Sequence, residues 1–302
     1  MRITEVISPA ELRNWCVRSN WQGARMVATT WAMIAAIFAG VALWTNPFSI
    51  VLGLFLLGGR QLGLAVLMHE CGHGTLFANR RANHFIGQWL CAYPVMTDMH
   101  RYAAGHTRHH RYAGTQRDPD LPNYQSYPVT RASFRRKIIR DLSAQTGWKL
   151  LAGRFANRDA LFGSQLRASG TGGFLVVNAA LLAVLAAFGH AALALMWPAA
   201  FLTTYLLFAR LRQVAEHGGV PDLFDPDPRK NTRTTIPRRW ERLFVAPNFV
   251  NYHLDHHLAA AVPCYRLRSF HGALKARGVF DHTLLPVGYA TVLRSVVLRE
   301  SS

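Results

Sequence analysis

The chain has 302 residues, half of them hydrophobic and only 17% charged, yet its formal net charge is +18 and its pI is near 10.8. Such basicity suits a nucleic-acid binder, but this apolar content does not, so nucleic acid is not an expected partner. The four cysteines, Cys16, Cys71, Cys91 and Cys264, show no CxxC pairing, which argues against both a disulfide framework and a thiolate zinc site.

Taken in chain order, Ser8-Pro9-Ala10-Glu11 reads as a capping box with proline at the first helical position. It predicts a short interfacial helix with Leu12, Trp15 and Cys16 on its apolar side, not a cleaved signal. Four apolar stretches follow at residues 24–44, 50–68, 172–189 and 191–209. Each is close to the roughly 20 residues that a helix needs to cross about 30 Å of hydrocarbon. They come as two hairpins, because the links, residues 45–49 and His190, are very short. Lys and Arg number 4 up to Arg25, 1 inside the second stretch (Arg60), 15 between Ala78 and Thr171 and 14 from Arg210 onward, with none in either link. The positive-inside rule then places the N-terminus, the central segment and the C-terminal segment in the cytoplasm, which accounts for the net charge as topology. The expected fold class is all-α, a polytopic membrane protein with about four transmembrane helices and a cytoplasmic helical cap. One domain over residues 1–302 is expected, with no repeat or low-complexity region.

Three histidine clusters fall on the cytoplasmic side of this topology: His69 with His73, His106 with His109 and His110, and His253 with His256 and His257. Residues three and four apart share one helix face, so each cluster can present imidazoles together. Adjacent histidines project about 100° apart, so one of each pair can serve one ion and its neighbour a second. This many imidazoles exceeds what one ion of four to six ligands can use, and a dinuclear site is the natural reading. Imidazole suits iron, zinc, copper and nickel alike, so ligand type does not name the metal. His69-Glu70-Cys71-Gly72-His73 also matches the HExxH helix of zinc peptidases. The longer metzincin pattern fails at Leu76 and Asn79, and a peptidase leaves the other clusters unexplained. A non-catalytic metal carrier or sensor is a further reading, disfavoured because the clusters lie outside the apolar stretches.

The segments HECGHGTLF (69–77), GHTRHHRYAGTQRDPD (105–120) and NYHLDHHLAAAVPCYRL (251–267) resemble the three histidine boxes of the integral-membrane fatty acid desaturases. The resemblance runs from about residue 60 to residue 277. It implies a four-helix membrane protein with a cytoplasmic cap holding two iron ions that activate dioxygen. Carried onto this sequence, the ligands are His69, His73, His106, His109, His110, His253, His256 and His257. The family's further ligand after the fourth membrane helix falls on His217, and Gln213 stands where related enzymes have a water-linked Asn. Glu70, Asp255 and Glu216 lie beside these positions, either to orient imidazoles or simply as solvated acids. His84, His100, His190, His271 and His282 stand alone and read as surface or packing residues.

The implied reaction removes hydrogen from two neighbouring methylenes of a fatty acyl chain, lipid-linked by preference, leaving a C=C bond and water. His253 at the head of the third box, where front-end desaturases have Gln, argues against that branch. Hydroxylases of alkanes or fatty acids and carotenoid ketolases share the boxes and are the close alternatives. No haem, iron–sulfur or GxGxxG motif is present, so electrons are expected from a separate ferredoxin, rubredoxin or cytochrome. The basic run at residues 131–151 suits such an acidic donor or anionic lipid headgroups. Arg117-Asp118-Pro119-Asp120 and Asp225-Pro226-Asp227-Pro228 read as turns. Arg60, about 13 Å by helical rise before His69, either faces a cavity or pairs with a nearby polar group. A bacterial inner membrane with the site facing the cytoplasm completes the expectation.

Overall fold

A computed structural model describes residues 1, 3–156 and 171–298. Helix α1 (Pro9–Trp15) starts where Ser8 Oγ accepts the Glu11 N–H at 3.2 Å. Its apolar side, Leu12, Trp15 and Cys16, packs on the protein and not outward, with Trp15 edge-on to Phe270 at 5.6 Å.

Helix α2 (Asn20–Leu43) and helix α3 (Pro47–Gly72) form the first hairpin. The turn is only residues 44–46, because Asn46 and Ser49 cap each other: Asn46 Oδ1 accepts the Ser49 N–H at 3.0 Å and Ser49 Oγ accepts the Asn46 N–H at 3.1 Å. With 26 residues, α3 is about 39 Å long, more than the hydrocarbon needs, and its last turn carries His69 clear of the apolar stretch.

Helices α4 (Arg80–Ile86) and α5 (Met99–Tyr112) follow, the second capped by Asp98, whose carboxylate accepts the Arg101 N–H at 2.9 Å. The expected run at 131–151 is two helices, α6 (Arg131–Leu142) and α7 (Gln145–Ala156). The chain breaks at Ala144, whose φ of 62° no helix tolerates, and Asp141 ties both sides by accepting from Thr146 Oγ1 and from Arg210.

The second hairpin is α8 (Thr171–Ala187) and α9 (Ala191–His217), joined through Gly189 at φ 78°. Among the described residues three helices are long and apolar enough to cross a membrane: α2, α3 and α9. The fourth expected span is apolar, and its described part, Thr171–Ala187, has 17 residues, about 25 Å. Pro198 interrupts α9 by removing a backbone donor, and the chain passes through a wide π turn at Phe201–Tyr205 before resuming at Leu206.

Between α9 and the third histidine cluster the backbone is largely irregular, and it doubles back along α3. Gly59 permits this, because a Cβ there would collide with the Leu243 carbonyl; Gly58 in turn admits α9, since its Cβ would collide with Thr204. Both expectations for Arg60 hold: it lines a cavity of about 430 Å³ between α2 and α3, and its Nη2 donates to the Arg242 carbonyl at 3.0 Å and the Leu243 carbonyl at 2.7 Å. Carbonyls released from regular structure this deep among apolar helices need such donors. Short helices α10 (His253–Leu258), α11 (Cys264–Ala276) and α12 (Tyr289–Val296) complete the cap. Among the described residues, strand structure is limited to β1 (Val129–Thr130) pairing in parallel with β2 (Val297–Leu298).

Candidate metal centre

All nine histidines singled out in the sequence converge, in two groups. His69, His73, His106, His110 and His256 form one, and His109, His217, His253 and His257 form the other; within each group the candidate ligand nitrogens lie within 4.8 Å of one another. The adjacent pairs divide as their 100° separation requires. His110 and His256 face the first group, and their neighbours His109 and His257 face the second.

The elements explain the convergence. The C-terminal ends of α3 and α9 point the same way, so His69 with His73 and His217 stand at one end of the bundle. Helix α5 crosses over them, and α10 closes the other side. Nε2 atoms meet in the centre: His69 to His106 at 2.8 Å, His106 to His110 at 2.9 Å and His110 to His256 at 3.0 Å in the first group. In the second, His253 lies 2.9 Å from His217 and 3.1 Å from His257, which is 3.3 Å from His109.

Four of the outward nitrogens lie against oxygens. Glu70 lies 3.1 Å from His69 Nδ1, Asp118 lies 2.9 and 3.0 Å from His109 Nδ1, and the Asn231 carbonyl lies 3.1 Å from His217 Nδ1. Glu216 stands 3.5 Å from His253 Nδ1 and is itself held by Arg212 at 3.0 Å. These acceptors fix the protons on Nδ1 and turn bare Nε2 lone pairs inward. His217 and His253 then oppose lone pair to lone pair at 2.9 Å, which is repulsive without a cation between them. A metal–imidazole bond of about 2.1 Å puts ligands at a right angle about 3.0 Å apart, which matches the observed spacings. His73 Nε2 is also buried with no hydrogen-bond partner, as a ligand atom would be. The donor set therefore fits metal ions.

The electrostatics agree. Burial, and then the like charge of neighbouring imidazoles, pushes His106, His253, His256 and His257 far below the ordinary histidine range. His110 is lowered to about 3 by the same causes, and His73 is lowered chiefly by burial. All six are neutral at pH 7, the form that ligates. Burial alone would raise Asp118, but the His109 hydrogen bond and charge, the Tyr124 hydroxyl and the Asp120 N–H hold it below the usual carboxylate range.

Asp118 and the Asn231 carbonyl are the orienting groups that sequence reasoning missed, the first because it read as part of a turn. Tyr124, which hydrogen-bonds Asp118, stacks on the His217 ring at 4.7 Å, so this loop braces two histidines of the second group. Asp255 does not orient one of the nine. Its carboxylate turns away to His271 Nδ1 at 3.0 Å and Thr234 Oγ1 at 2.7 Å, because the adjacent His256 already fills the inward direction. His271 is accordingly a buried, partnered residue, whereas His84, His100, His190 and His282 are exposed. Gln213 sits half-buried one turn before His217. Glu70 has no free oxygen for the role of a peptidase base, since it also accepts from Thr75 Oγ1 at 2.9 Å and the Cys264 N–H at 3.0 Å.

A cavity of about 110 Å³ touches both groups at His69, His253 and His256 and is walled by Leu62, Ala65, Val66 and Met68 of α3. Its far wall includes Asn248 and Phe249, both at positive φ (52° and 65°), and Asn248 is pinned there by donating to the Gly63 carbonyl at 2.9 Å. A bulky residue such as Phe249 in the left-handed region is strained, and such strain clusters at functional sites.

This arrangement sets two imidazole nests that could each hold a metal ion at one end of helices long and apolar enough to cross a membrane. Residues 45–287 match the fatty acid desaturase family, and the chain belongs to that family. It is 28% identical over 297 residues to dihydrorhizobitoxine desaturase of Bradyrhizobium elkanii, covering 91% of this chain and 79% of that protein. A beta-carotene ketolase of Paracoccus sp. (strain PC1) is 26% identical, covering 79% of this chain and 83% of the ketolase. The sn-1 oleoyl-lipid 12-desaturase of Synechocystis sp. is 26% identical, covering 72% of this chain and 66% of the relative.

Proposed function

We propose that the chain is a membrane di-iron, oxygen-dependent desaturase of fatty acyl chains, lipid-linked by preference. The observation that carries this reading is the division of nine imidazoles into groups of five and four above an apolar-walled cavity. The nine are the proposed ligands, and family membership favours iron over zinc. Bound iron supplies one-electron chemistry at dioxygen. Desaturating one CH₂–CH₂ unit consumes one O₂, two electrons and two protons, and with the two substrate hydrogens gives two waters.

The chain's own residues do the rest. Glu70, Asp118, Glu216 and the Asn231 carbonyl hold protons on Nδ1 and aim the opposite nitrogens. Leu62, Ala65, Val66 and Met68 hold a methylene segment against the imidazoles and exclude water, which positions a carbon that offers no polar handle. Electrons come from a separate donor of the ferredoxin, rubredoxin or cytochrome type. The charge distribution supports a multi-pass chain in a bacterial inner membrane with this end in the cytoplasm.

The ketolase relatives favour a second reading, oxygen insertion at the same centre. Mass spectrometry of total lipids from a bacterial host expressing the chain or its His106→Ala variant separates the two. A product two mass units lighter that requires oxygen and His106 supports desaturation; one sixteen units heavier (hydroxyl) or fourteen units heavier (ketone) replaces it with oxygen insertion. Two irons per chain are expected on metal analysis, and zinc with no lipid change would overturn both.

A further inference from the structure

We infer that the outer face of α3 and α9, away from the histidines, binds one anionic phospholipid, with an acyl chain in an apolar groove and the phosphate between Arg131 and Arg294. The groove, about 500 Å³, shares no lining residue with the cavity at the metal centre. Phe48, Val51, Leu52 and Phe55 form one stripe of α3 along it, facing Phe208 of α9 and Trp240 of the returning loop. Phe48, on a helix apolar enough to lie in hydrocarbon, is 66% exposed, and Trp240 is 56% exposed. An aromatic at the groove mouth is how membrane proteins mark the headgroup level.

The groove runs on, through shared Leu293, into a second of about 540 Å³ whose polar lining residues are Arg131 and Arg294, with Phe134 between them and the apolar part. Both arginines are exposed. Their spacing is fixed, because Arg131 follows β1, which pairs with β2 just after the α12 turn carrying Arg294. Glu241, the acid among the groove's lining residues, is spent internally: its oxygens accept the Arg238 N–H at 2.6 Å and the Tyr289 N–H at 2.8 Å. Two exposed guanidiniums with no ion pair among the described residues, above a chain-shaped apolar groove, match a phosphate on a diacylglycerol. A headgroup cation would meet repulsion there, so net negative lipids are selected.

The test uses the full-length protein, stripped of lipid in an uncharged detergent and titrated in native mass spectrometry. The first dioleoyl phosphatidylglycerol is expected to bind roughly 10- to 30-fold more tightly than dioleoyl phosphatidylcholine, the gain that two arginines give near a lipid surface. An Arg131→Gln/Arg294→Gln variant loses that preference, and the corresponding double Lys variant keeps most of it. Val51→Trp, which fills the groove, weakens both lipids. Metal stoichiometry and circular dichroism unchanged from the parent chain establish that these surface variants fold. Equal binding of the two lipids, an unchanged preference in the double Gln variant, or full competition by glycerol phosphate would each overturn the assignment, the last by pointing to a soluble phosphate.

Discussion

Asp118→Ala tests whether the four-histidine group holds its own ion. Asp118 is 4% exposed and accepts from His109 Nδ1 at 2.9 and 3.0 Å, from the Tyr124 hydroxyl and from the Asp120 N–H at 2.9 Å. Removing it frees His109 to rotate and to take the other tautomer, which turns an N–H toward His257 where a lone pair belongs. A hydrogen bond to a buried charge contributes about 1.5–3 kcal/mol, equivalent to roughly 10- to 150-fold. Loss of such an orienting partner typically costs 10–100-fold in metal affinity, so the two scales agree. The expected outcome is selective: a chelator titration followed by metal analysis releases about one ion per chain at 10–100-fold lower chelator, while the second stays as tight as in the parent. Asp118→Asn, whose amide oxygen still accepts, falls in between. Simultaneous release of both ions, or an unchanged titration, would refute the assignment of His109 to a separate group.

Asp255→Asn makes the contrast, since its partners are His271 and Thr234: thermal stability is expected to fall while the chelator titration stays that of the parent. Arg60→Leu strands the Arg242 and Leu243 carbonyls beside α3, at about 1–3 kcal/mol for a buried acceptor left unpaired; denaturant midpoints in detergent should show the loss with metal stoichiometry retained. Metal-free protein should also lose stability as pH falls from about 7 to 5. Folded His73, His106, His110, His253, His256 and His257 have lowered pKa values and refuse protons that the unfolded chain accepts near pH 6.5. The unfolded state then binds more protons, so stability rises with pH across that window, by up to about 1.4 kcal/mol per pH unit for each histidine. An apparent Tm flat between pH 7.5 and 5.5 in chelator would contradict the burial argument.

How far the site was legible in the sequence follows from the range of the forces involved. Eight of the nine histidine positions were readable because helical spacing is local: residues three and four apart share a face whatever surrounds them, and adjacent residues project about 100° apart. The splitting of each adjacent pair between two groups follows from the same rule, but spacing leaves open whether His109 or His110 joins His106, and His217 came only from the family resemblance. The first hairpin was equally local, set by Asn46, Pro47 and Ser49 within one turn. What could not be read is where oxygens land once the loops close. Asp118 sits nine residues after His109 in a turn-forming stretch, and only the folding of that loop over the end of α5 brings its carboxylate to Nδ1. Asp255 shows the converse. One residue from His256, it looks like an orienting acid, yet helix geometry points it away from its neighbour's target and toward His271 on α11.

The same distinction separates the spans. Hydropathy sets α2, α3 and α9, but not that α9 opens into a π turn after Pro198. Nor does composition tell that an irregular segment folds back on Gly59 with Arg60 answering its carbonyls. That return is what brings Asn248 and Phe249 against Gly63 and so forms the wall of the cavity beneath the imidazoles. Arg60 is therefore part of the site's architecture without touching it. The charge that looks most out of place in the apolar stretch supports, from about 13 Å away by helical rise, the surface against which a substrate carbon would be held.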